Sequence, residues 1–194
     1  MKWEKIDSKY LVDDRWLKLR SDTFKTEKGT TISPYYIIEN KTWVNCIVFE
    51  EDSILLVEQY RPGVNEVVIE IIGGGVETED LDPASAIQRE IREELGYTGG
   101  KIVQTGISYA NPANQTNTVH SFIAYGGKIS QDQNLEGGES LTVKKVSFQE
   151  FARMIENESN IMQSLHLASI FFALRKIKDL DDESLQRFEE IVLG

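Results

Sequence analysis

The sequence predicts an α/β fold with a mixed sheet, preceded by an N-terminal antiparallel β segment. Short runs in which apolar and polar residues alternate, as in half-buried strands, recur along most of the chain. Segments with well-marked helix ends lie between and after these runs. A weak boundary near Asn40 divides the chain into residues 1–40, the β segment, and residues 41–194, the main domain.

Two hairpins are predicted first along the chain. RWLKLRSDTF and TTISPYYIIE flank the turn-like KTEKG, and VNCIVF and SILLVEQY flank the acidic turn Glu50-Glu51-Asp52. A short apolar run, EVVIEII, then ends at three glycines. Further strands are predicted in KIVQTGISYA, TVHSFIAY and SLTVKKVSF, which Asn-, Pro- and Gly-rich connections separate.

Three helices are predicted from their ends and apolar content. The first runs from about Pro83 to Leu95, with Asp82 as N-cap and Gly96 after its end. The second begins after Ser147, where Ser-Phe-Gln-Glu has the spacing of a capping box. The third covers much of IMQSLHLASIFFALRKI and is expected to be buried, and the tail DDESLQRFEEIVL is expected to add a short helix.

Composition and charge restrict the class of protein. The 194 residues are 40% hydrophobic and 27% charged, as in globular proteins. No apolar run reaches the roughly 18 residues of a membrane helix and the N terminus lacks a signal-peptide core, so we expect no membrane partner and a cytoplasmic location. A net charge of −11 argues against a nucleic-acid polymer as partner, because polyanion binding needs a basic face.

Cysteine and histidine offer little material for catalysis. Cys46 is the single cysteine, and its place in VNCIVF predicts a buried, inert thiol. The two histidines, His120 and His166, lie in an apolar strand and an apolar helix. We expect both to be structural and expect no zinc site.

The helix predicted at Pro83–Leu95 has three carboxylates on one face. Glu90, Glu93 and Glu94 fall within an arc of about 100° on a helical wheel. Their mutual repulsion favours a bound cation, and oxygen ligands suit Mg²⁺ or Mn²⁺. The alternative is a solvated acidic face with Arg89 and Glu93 as an i,i+4 pair.

The segment IIGGGVETED, directly upstream, favours the metal site. Glycines after a strand permit close approach to a ligand, so a carbonyl of this glycine-rich loop is a candidate metal ligand. The alternative is a tight strand-to-helix turn with no ligand.

The segment GGGVETEDLDPASAIQREIREELGY resembles the signature of the Nudix hydrolases. Its second half matches that signature without a gap, through Arg89, Glu90, Ile91, Glu93, Glu94 and Gly96. In the first half, counting back from Arg89 places Leu81 at the first Glu position and Gly75 at the glycine position. If one residue, Leu81, is inserted, Asp80 takes the first Glu position and Gly74 the glycine position. This alignment is preferred because GGGVE is a common family variant.

The resemblance implies a Nudix-type α/β/α sandwich that holds one to three Mg²⁺ or Mn²⁺ ions. By position, Glu90, Glu93 and Glu94 are expected to be metal ligands, with Gly74 supplying a carbonyl. Arg89 is expected to orient a carboxylate. The implied reaction is attack of water on one phosphorus of a nucleoside diphosphate linked to another group.

A weaker resemblance over nearly the whole chain indicates a branch of the family. LLVEQYRPGVNEVVIEIIGG resembles QYR…ELPAG of ADP-ribose and nucleotide-sugar pyrophosphatases, with Ile72 in place of the usual proline. In that branch the N-terminal segment crosses to a second subunit, so we expect a homodimer. Arg61 is expected to bind phosphate or substrate, with Glu70 near the metal shell; a surface salt bridge is the alternative.

Substrate stacking and proton transfer need further residues. Trp16 resembles the family's N-terminal stacking position for a base, and Tyr36, with Tyr35, is a second candidate; core or interface packing is the alternative. The loop QDQNLEGGESLTV suits a mobile general base, with Glu139 as first candidate and Glu136 as second. A flexible acidic surface loop is the other interpretation.

The expected activity is metal-dependent hydrolysis of ADP-ribose to AMP and ribose 5-phosphate. GDP-mannose or another nucleotide sugar is the alternative substrate, followed by dinucleotides and nucleoside triphosphates. A hypothesis of another class is a catalytically weak scaffold that binds nucleotide as a sensor or regulator. Retention of the three carboxylates favours the enzyme.

Overall fold

The structure, a computed structural model, describes residues 2–135, 137–157 and 162–194. It divides into two units, which are considered separately. The first contains Met1–Thr42 and Ser108–Thr118. The second contains Trp43–Ile107 and Val119–Gly194.

The first unit contains a three-stranded antiparallel sheet in the order β1-β2-β3, formed by Glu4–Asp13, Lys18–Lys25 and Thr31–Glu39. The antiparallel hairpin predicted at β2 and β3 is confirmed, with Leu19 opposite Ile38. Strand β1 was not singled out from the sequence. It is almost wholly exposed, and two register shifts interrupt its pairing with β2, so its apolar alternation is weak.

A buried carboxylate holds the strands of the first unit together. Asp22 is fully buried and accepts hydrogen bonds from Ser8 Oγ at 2.6 Å and Arg20 Nε at 2.9 Å. Segment Ser108–Thr118 joins this unit through the backbone, since Ile38 N–H donates to Asn114 O at 2.8 Å.

The second unit is built on a mixed sheet. Its strands are β4 (Trp43–Glu50), β5 (Ser53–Arg61), β6 (Glu66–Glu70), β7 (Ile72–Gly75), β8 (Tyr97–Tyr109), β9 (Thr118–Ile129) and β10 (Leu141–Ser147). The order is β10-β5-β4-β9-β8, with β6 paired to β5 and β7 to β4. Strands β4 and β9 are parallel, whereas β4 pairs antiparallel with β5 and β7. The mixed sheet predicted from the sequence is therefore confirmed.

The helices are α1 (Pro83–Leu95), α2 (Phe148–Glu156), α3 (Ser164–Ile177) and α4 (Glu183–Leu193). The predicted start of α2 is confirmed, because Ser147 Oγ accepts from Glu150 N–H at 3.2 Å. The expectation that α3 is buried is wrong for part of its surface. Leu167 and Phe171, one turn apart, are 43% and 58% exposed.

Strand β4 separates two apolar layers, because successive side chains of a strand point to opposite faces. Val44, Cys46 and Val48 pack with the apolar face of α1. Ile47 and Phe49 pack with residues of α2, α3 and α4. The sheet therefore lies between α1 on one side and the other three helices on the other, which is the predicted α/β/α sandwich.

Cys46 is fully buried in this core, and burial raises the pKa of its thiol well above the ordinary value. An inert thiol follows. In the described ranges, no helix combines the length and apolar content needed to cross a membrane.

Candidate active site

The glycines of the signature lie in a strand. Gly73, Gly74 and Gly75 form most of β7 and pair with Asn45, Val44 and Trp43 of β4. The prediction of a glycine-rich loop at this place is therefore wrong. The glycines are needed for space, because a Cβ atom on Gly74 would lie 2.1 Å from Glu90 Oε1. Their absence of side chains lets helix α1 bring a carboxylate against the strand.

Helix α1 is fixed at both ends. Asp82 Oδ1 accepts from Ser85 N–H at 2.7 Å, and Ser85 Oγ accepts from Asp82 N–H at 3.0 Å, which together form a capping box. Gly96 ends the helix in a left-handed conformation, with φ of 64°. The apolar face buries Ala86, Ile87, Ile91 and Leu95. The caps and the buried face thus fix the orientation of the helix, and with it the direction in which its carboxylates point.

Arg89 connects the strand, the turn after it and the helix. Its Nε and Nη2 donate to the two oxygens of Asp80 at 3.2 and 3.1 Å, and Nη2 also donates to Gly75 O at 3.1 Å. Nη1 donates to Glu90 Oε1 at 3.0 Å and Glu93 Oε2 at 3.1 Å. Arg89 therefore orients both carboxylates.

Asp80 and Leu81 have opposite environments. The Asp80 side chain is 7% exposed and the hydrogen bond from Arg89 holds its pKa below the ordinary value. Leu81 is 95% exposed. These positions favour the alignment in which Asp80 takes the first Glu position of the signature and Leu81 is the inserted residue.

Glu94 is the carboxylate of the helix that faces a cavity of about 880 Å³ in the second unit. Its side chain is buried, and within the described part of the chain Oε2 has no hydrogen-bond partner. Burial, followed by the charges of Glu90 and Glu139, raises the pKa of Glu94 to about 8, while Arg61 acts in the opposite direction. Burial also raises the pKa of Glu90.

The donors in this region fit a divalent cation. A cation at Glu94 would satisfy an unpartnered buried oxygen and offset the repulsion among the carboxylates. Among the described residues, however, no three acidic, histidine or cysteine side chains already stand together as a metal site. Glu93 does not line the cavity and is held by Arg89 instead.

Arg61 and Glu70 form an ion pair in the cavity wall. Arg61 Nη2 lies 2.6 Å and Nε 2.8 Å from Glu70 Oε2. The Glu70 side chain is 8% exposed and that of Arg61 is 50% exposed. The pair is therefore partly buried, with the guanidinium reaching solvent at the cavity. Glu139 also lines the cavity, whereas Glu136 lies outside the described residues.

The aromatic candidates belong to the first unit. Trp16 is 80% exposed at a turn where Asp14 Oδ1 accepts from Trp16 N–H at 2.7 Å, and the Arg15 guanidinium lies 4.2 Å from the centre of its ring. Tyr36, in β3, is 52% exposed. Their part in substrate binding stays a prediction.

Among the cavity residues that sequence reasoning missed, two are both polar and buried. His166, expected to be structural, lines the cavity, is 6% exposed and has an unpartnered Nδ1. Asn45 lies in an apolar strand and also lines the cavity. The available signal was spacing: His166 and Ser169 are polar residues on one face of the mostly apolar helix α3.

Comparison with known proteins gives a family for each part of the chain. Residues 40–165 match the NUDIX domain, and residues 3–38 match the nucleoside diphosphate sugar hydrolase N-terminal domain. A crystal structure of an ADP compounds hydrolase has a TM-score of 0.81, with 14% identity, over 92% of this chain and 96% of that one. This likeness shows the fold.

Two curated relatives match a large part of the chain. An ADP-ribose pyrophosphatase of Bacillus subtilis is 27% identical over 57% of the chain, and the match spans 60% of that relative's length. A methanol dehydrogenase activator of Bacillus methanolicus is 30% identical over 68% of the chain and 70% of the relative. The domain match and the signature on α1 agree: the chain belongs to the Nudix hydrolase family.

Proposed function

We propose that the protein is a metal-dependent pyrophosphatase that cleaves the diphosphate of a nucleoside diphosphate linked to another group. ADP-ribose is the first candidate substrate, with AMP and ribose 5-phosphate as products. GDP-mannose or another nucleotide sugar is the alternative. The observation that carries the proposal is the buried, unpartnered oxygen of Glu94 in the wall of a cavity that Arg61 and Glu139 also line.

The cavity has a suitable size and charge for such a substrate. Its volume of about 880 Å³ lies within the range of small-molecule sites. Its acidic residues are Glu66, Glu70, Glu94 and Glu139. A diphosphate can approach these carboxylates only when cations offset their charge, which is why metal dependence is part of the proposal.

Glu90, Glu93 and Glu94, with the carbonyl of Gly74, would hold one to three Mg²⁺ or Mn²⁺ ions. Oxygen donors suit these hard cations. When bound, such ions would lower the pKa of a bound water and neutralise charge on the phosphoryl oxygens. Arg89 keeps the Glu90 and Glu93 carboxylates in place through its own anchor on Asp80.

The other residues bind the substrate and move a proton. Arg61, held by Glu70, binds a phosphoryl oxygen. Glu139 accepts a proton from the attacking water as a P–O bond forms at one phosphorus. The bond between that phosphorus and the bridging oxygen breaks, and the other phosphate leaves with the bridging oxygen. With ADP-ribose this gives AMP and ribose 5-phosphate.

The first unit is proposed to form a homodimer and to bring Trp16, with Tyr36 as second candidate, to the base of a substrate in the partner's site. Support comes from large apolar side chains that this unit exposes: Trp3, Ile6, Tyr10, Leu11, Trp16, Leu17 and Tyr36. Six of them lie within residues 3–17, and exposed apolar side chains that cluster in this way mark interaction surfaces.

A second candidate function is regulation of another enzyme through nucleotide binding. The likeness to a methanol dehydrogenase activator favours it, at 30% identity over 68% of the chain. In this case the cavity would bind a nucleotide with little or no turnover.

One assay separates the two candidates. Pure protein with Mg²⁺ is incubated with ADP-ribose, GDP-mannose, UDP-glucose, NADH and dinucleoside polyphosphates, and the products are identified by mass. The pyrophosphatase proposal expects cleavage at the diphosphate of at least one compound, with Glu93→Gln nearly inactive. No turnover of any compound, together with equal ligand binding by the parent and Glu93→Gln, would support the regulator and reject the enzyme.

A further inference from the structure

His166 is a buried polar side chain, and one of its two ring nitrogens has no hydrogen-bond partner among the residues that the structure describes. It lies at the start of α3, is 6% exposed, and lines the same cavity as Glu94. Its Nδ1 has no hydrogen-bond partner. A buried polar atom without a partner is destabilising, so its presence at a cavity points to a ligand that supplies the partner.

The imidazole of His166 is uncharged at neutral pH. Burial, together with the charge of Arg61, lowers its pKa to about 4. A neutral imidazole has one N–H donor and one nitrogen acceptor. It therefore matches a hydroxyl group, which also donates and accepts, better than it matches a phosphate, for which Arg61 offers a charge.

Asn45 is a second neutral polar residue in the wall of the cavity, and hydrogen bonds within the protein hold its side chain in place. Ser169 Oγ donates to Asn45 Oδ1 and lies 2.7 Å from Ser121 Oγ. All three side chains are buried. Because its carbonyl oxygen is engaged by Ser169, the amide NH₂ of Asn45 is the part that this contact leaves for another acceptor.

The contacts of α3 explain why His166 and Asn45 act together. His166 and Ser169 are three residues apart and share a face of α3. Ser169 binds Asn45 of β4, and Asn45 is paired with Ser121 of β9 in the parallel register. Helix α3 and two strands therefore fix both neutral residues with respect to the sheet.

We propose that His166 and Asn45 form a subsite that binds the hydroxyl groups of a sugar ring of the substrate. The inference rests on the proposed function and deepens it. The carboxylates and Arg61 of the cavity suit cations and phosphate, whereas this neutral pair suits an uncharged ring. The ring is either the ribose of the nucleoside or the sugar beyond the diphosphate.

Kinetics of two His166 variants test the subsite. His166→Leu keeps a similar volume without polar atoms, and His166→Asn keeps a donor and an acceptor near the position of Nδ1. For ADP-ribose and GDP-mannose we expect His166→Leu to raise KM by about 3- to 10-fold, the loss of one hydrogen bond, with kcat little changed. His166→Asn should recover most of the loss. Leu167→Gln, at the adjacent exposed position, is the control and should match the parent.

Binding of the two halves of ADP-ribose identifies the ring and does not require turnover. Titration calorimetry with AMP and with ribose 5-phosphate, each with Mg²⁺, compares the parent with His166→Leu. The half that contains the bound ring should lose affinity by the same 3- to 10-fold. This measurement also separates the sugar subsite from the proposed pyrophosphatase activity, since a loss of affinity can be detected even if the protein hydrolyses no substrate.

Imidazole NMR tests the parent protein without any change at His166, and a His120→Gln variant is needed only to assign the signals. With two histidines in the chain, the ¹⁵N signals of His166 and His120 are readily distinguished through His120→Gln. The bound half should shift the His166 nitrogens and leave those of His120, which does not line the cavity. Unchanged His166 signals at saturating AMP and ribose 5-phosphate, or equal KM values for the parent and His166→Leu, would overturn the subsite.

Discussion

Arg89 and Asp80 face each other across the turn between β7 and α1, with two hydrogen bonds of 3.2 and 3.1 Å from the guanidinium to the carboxylate. The same guanidinium also donates to Gly75 O and to the carboxylates of Glu90 and Glu93. Asp80 therefore fixes Arg89, and Arg89 in turn orients these two carboxylates.

Asp80→Asn is expected to weaken both the fold and the site. It removes the charge that Arg89 contacts, and a hydrogen bond to a charged group contributes about 1.5–3 kcal/mol. We expect the free energy of unfolding to fall by about that amount in urea titrations, and kcat to fall about tenfold as Glu90 and Glu93 lose their alignment. Leu81→Ser, at the exposed neighbouring position, should change neither quantity. Equal effects of the two substitutions would contradict the assignment of Asp80.

Glu94→Gln is expected to remove most of the response to metal. Mg²⁺ that binds the folded state should raise the Tm of the parent, with a rise that grows as the logarithm of the Mg²⁺ concentration above the Kd, and EDTA should reverse the rise. The variant should show little Mg²⁺-dependent rise, and turnover should fall by about two or more orders of magnitude. Thermal scans with and without Mg²⁺ check this, and ordinary activity in both Glu93→Gln and Glu94→Gln would refute the metal ligands.

Gly74→Ala is expected to impair activity while the protein still folds. The added Cβ would meet Glu90 Oε1 at 2.1 Å, and the end of a flexible side chain can move aside. We expect kcat/KM to fall about 10- to 100-fold because Glu90 is displaced, with a Tm near that of the parent. Gly63→Ala is the matched control, since a Cβ atom there meets nothing within 4 Å. Full activity of Gly74→Ala would show that the placing of Glu90 is unimportant.

His166 is expected to make stability depend on pH. Its pKa of about 4 lies below the ordinary 6.5, so the unfolded chain binds the proton more readily. Stability should therefore fall as the pH decreases from about 6.5 towards 4, by up to roughly 3 kcal/mol. The free energy of unfolding at several pH values should fall less steeply in His166→Leu. Parallel curves for the parent and the variant would show that His166 is not buried in its neutral form.

Trp16→Ala is expected to leave the stability unchanged and to weaken substrate binding. The side chain is 80% exposed, so the urea midpoint should stay within error. If Trp16 stacks on the base in a partner's site, KM should rise by up to about tenfold. Light scattering of the parent should show a dimer; a monomer with full activity would remove this role.

Local signals predicted much of the fold. Helix α1 could be placed from Asp82, Pro83 and Gly96 because caps act through contacts within a few residues. Strands β4 and β5 could be placed from their apolar residues and acidic turn. Gly73–Gly75 were misread because glycine in sequence indicates a turn, whereas at Gly74 the reason for a glycine is the distant carboxylate of Glu90.

The sequence could place the candidate site residues that share one helix, whereas it could not bring together cavity residues from distant segments. Arg89, Glu90 and Glu94 are spaced along α1, so their positions follow from the helix repeat. His166 and Asn45 line the same cavity because α3 packs on β4. A contact between such distant segments cannot be predicted from a local sequence pattern. Arg61 and Glu70 were both candidates from the sequence, and their ion pair links the neighbouring antiparallel strands β5 and β6.

The outward position of Leu81 bears on how relatives of this chain are recognised. A single extra residue on the surface of a turn adds little loop-closure entropy, so the turn can change length while the carboxylate still reaches the arginine. The feature that matters for the site is the contact between Asp80 and Arg89, rather than the number of residues in the turn. Searches that require a fixed spacing between the glycine and the arginine would pass over sequences of this kind, and allowing one gap before the helix N-cap would recover them.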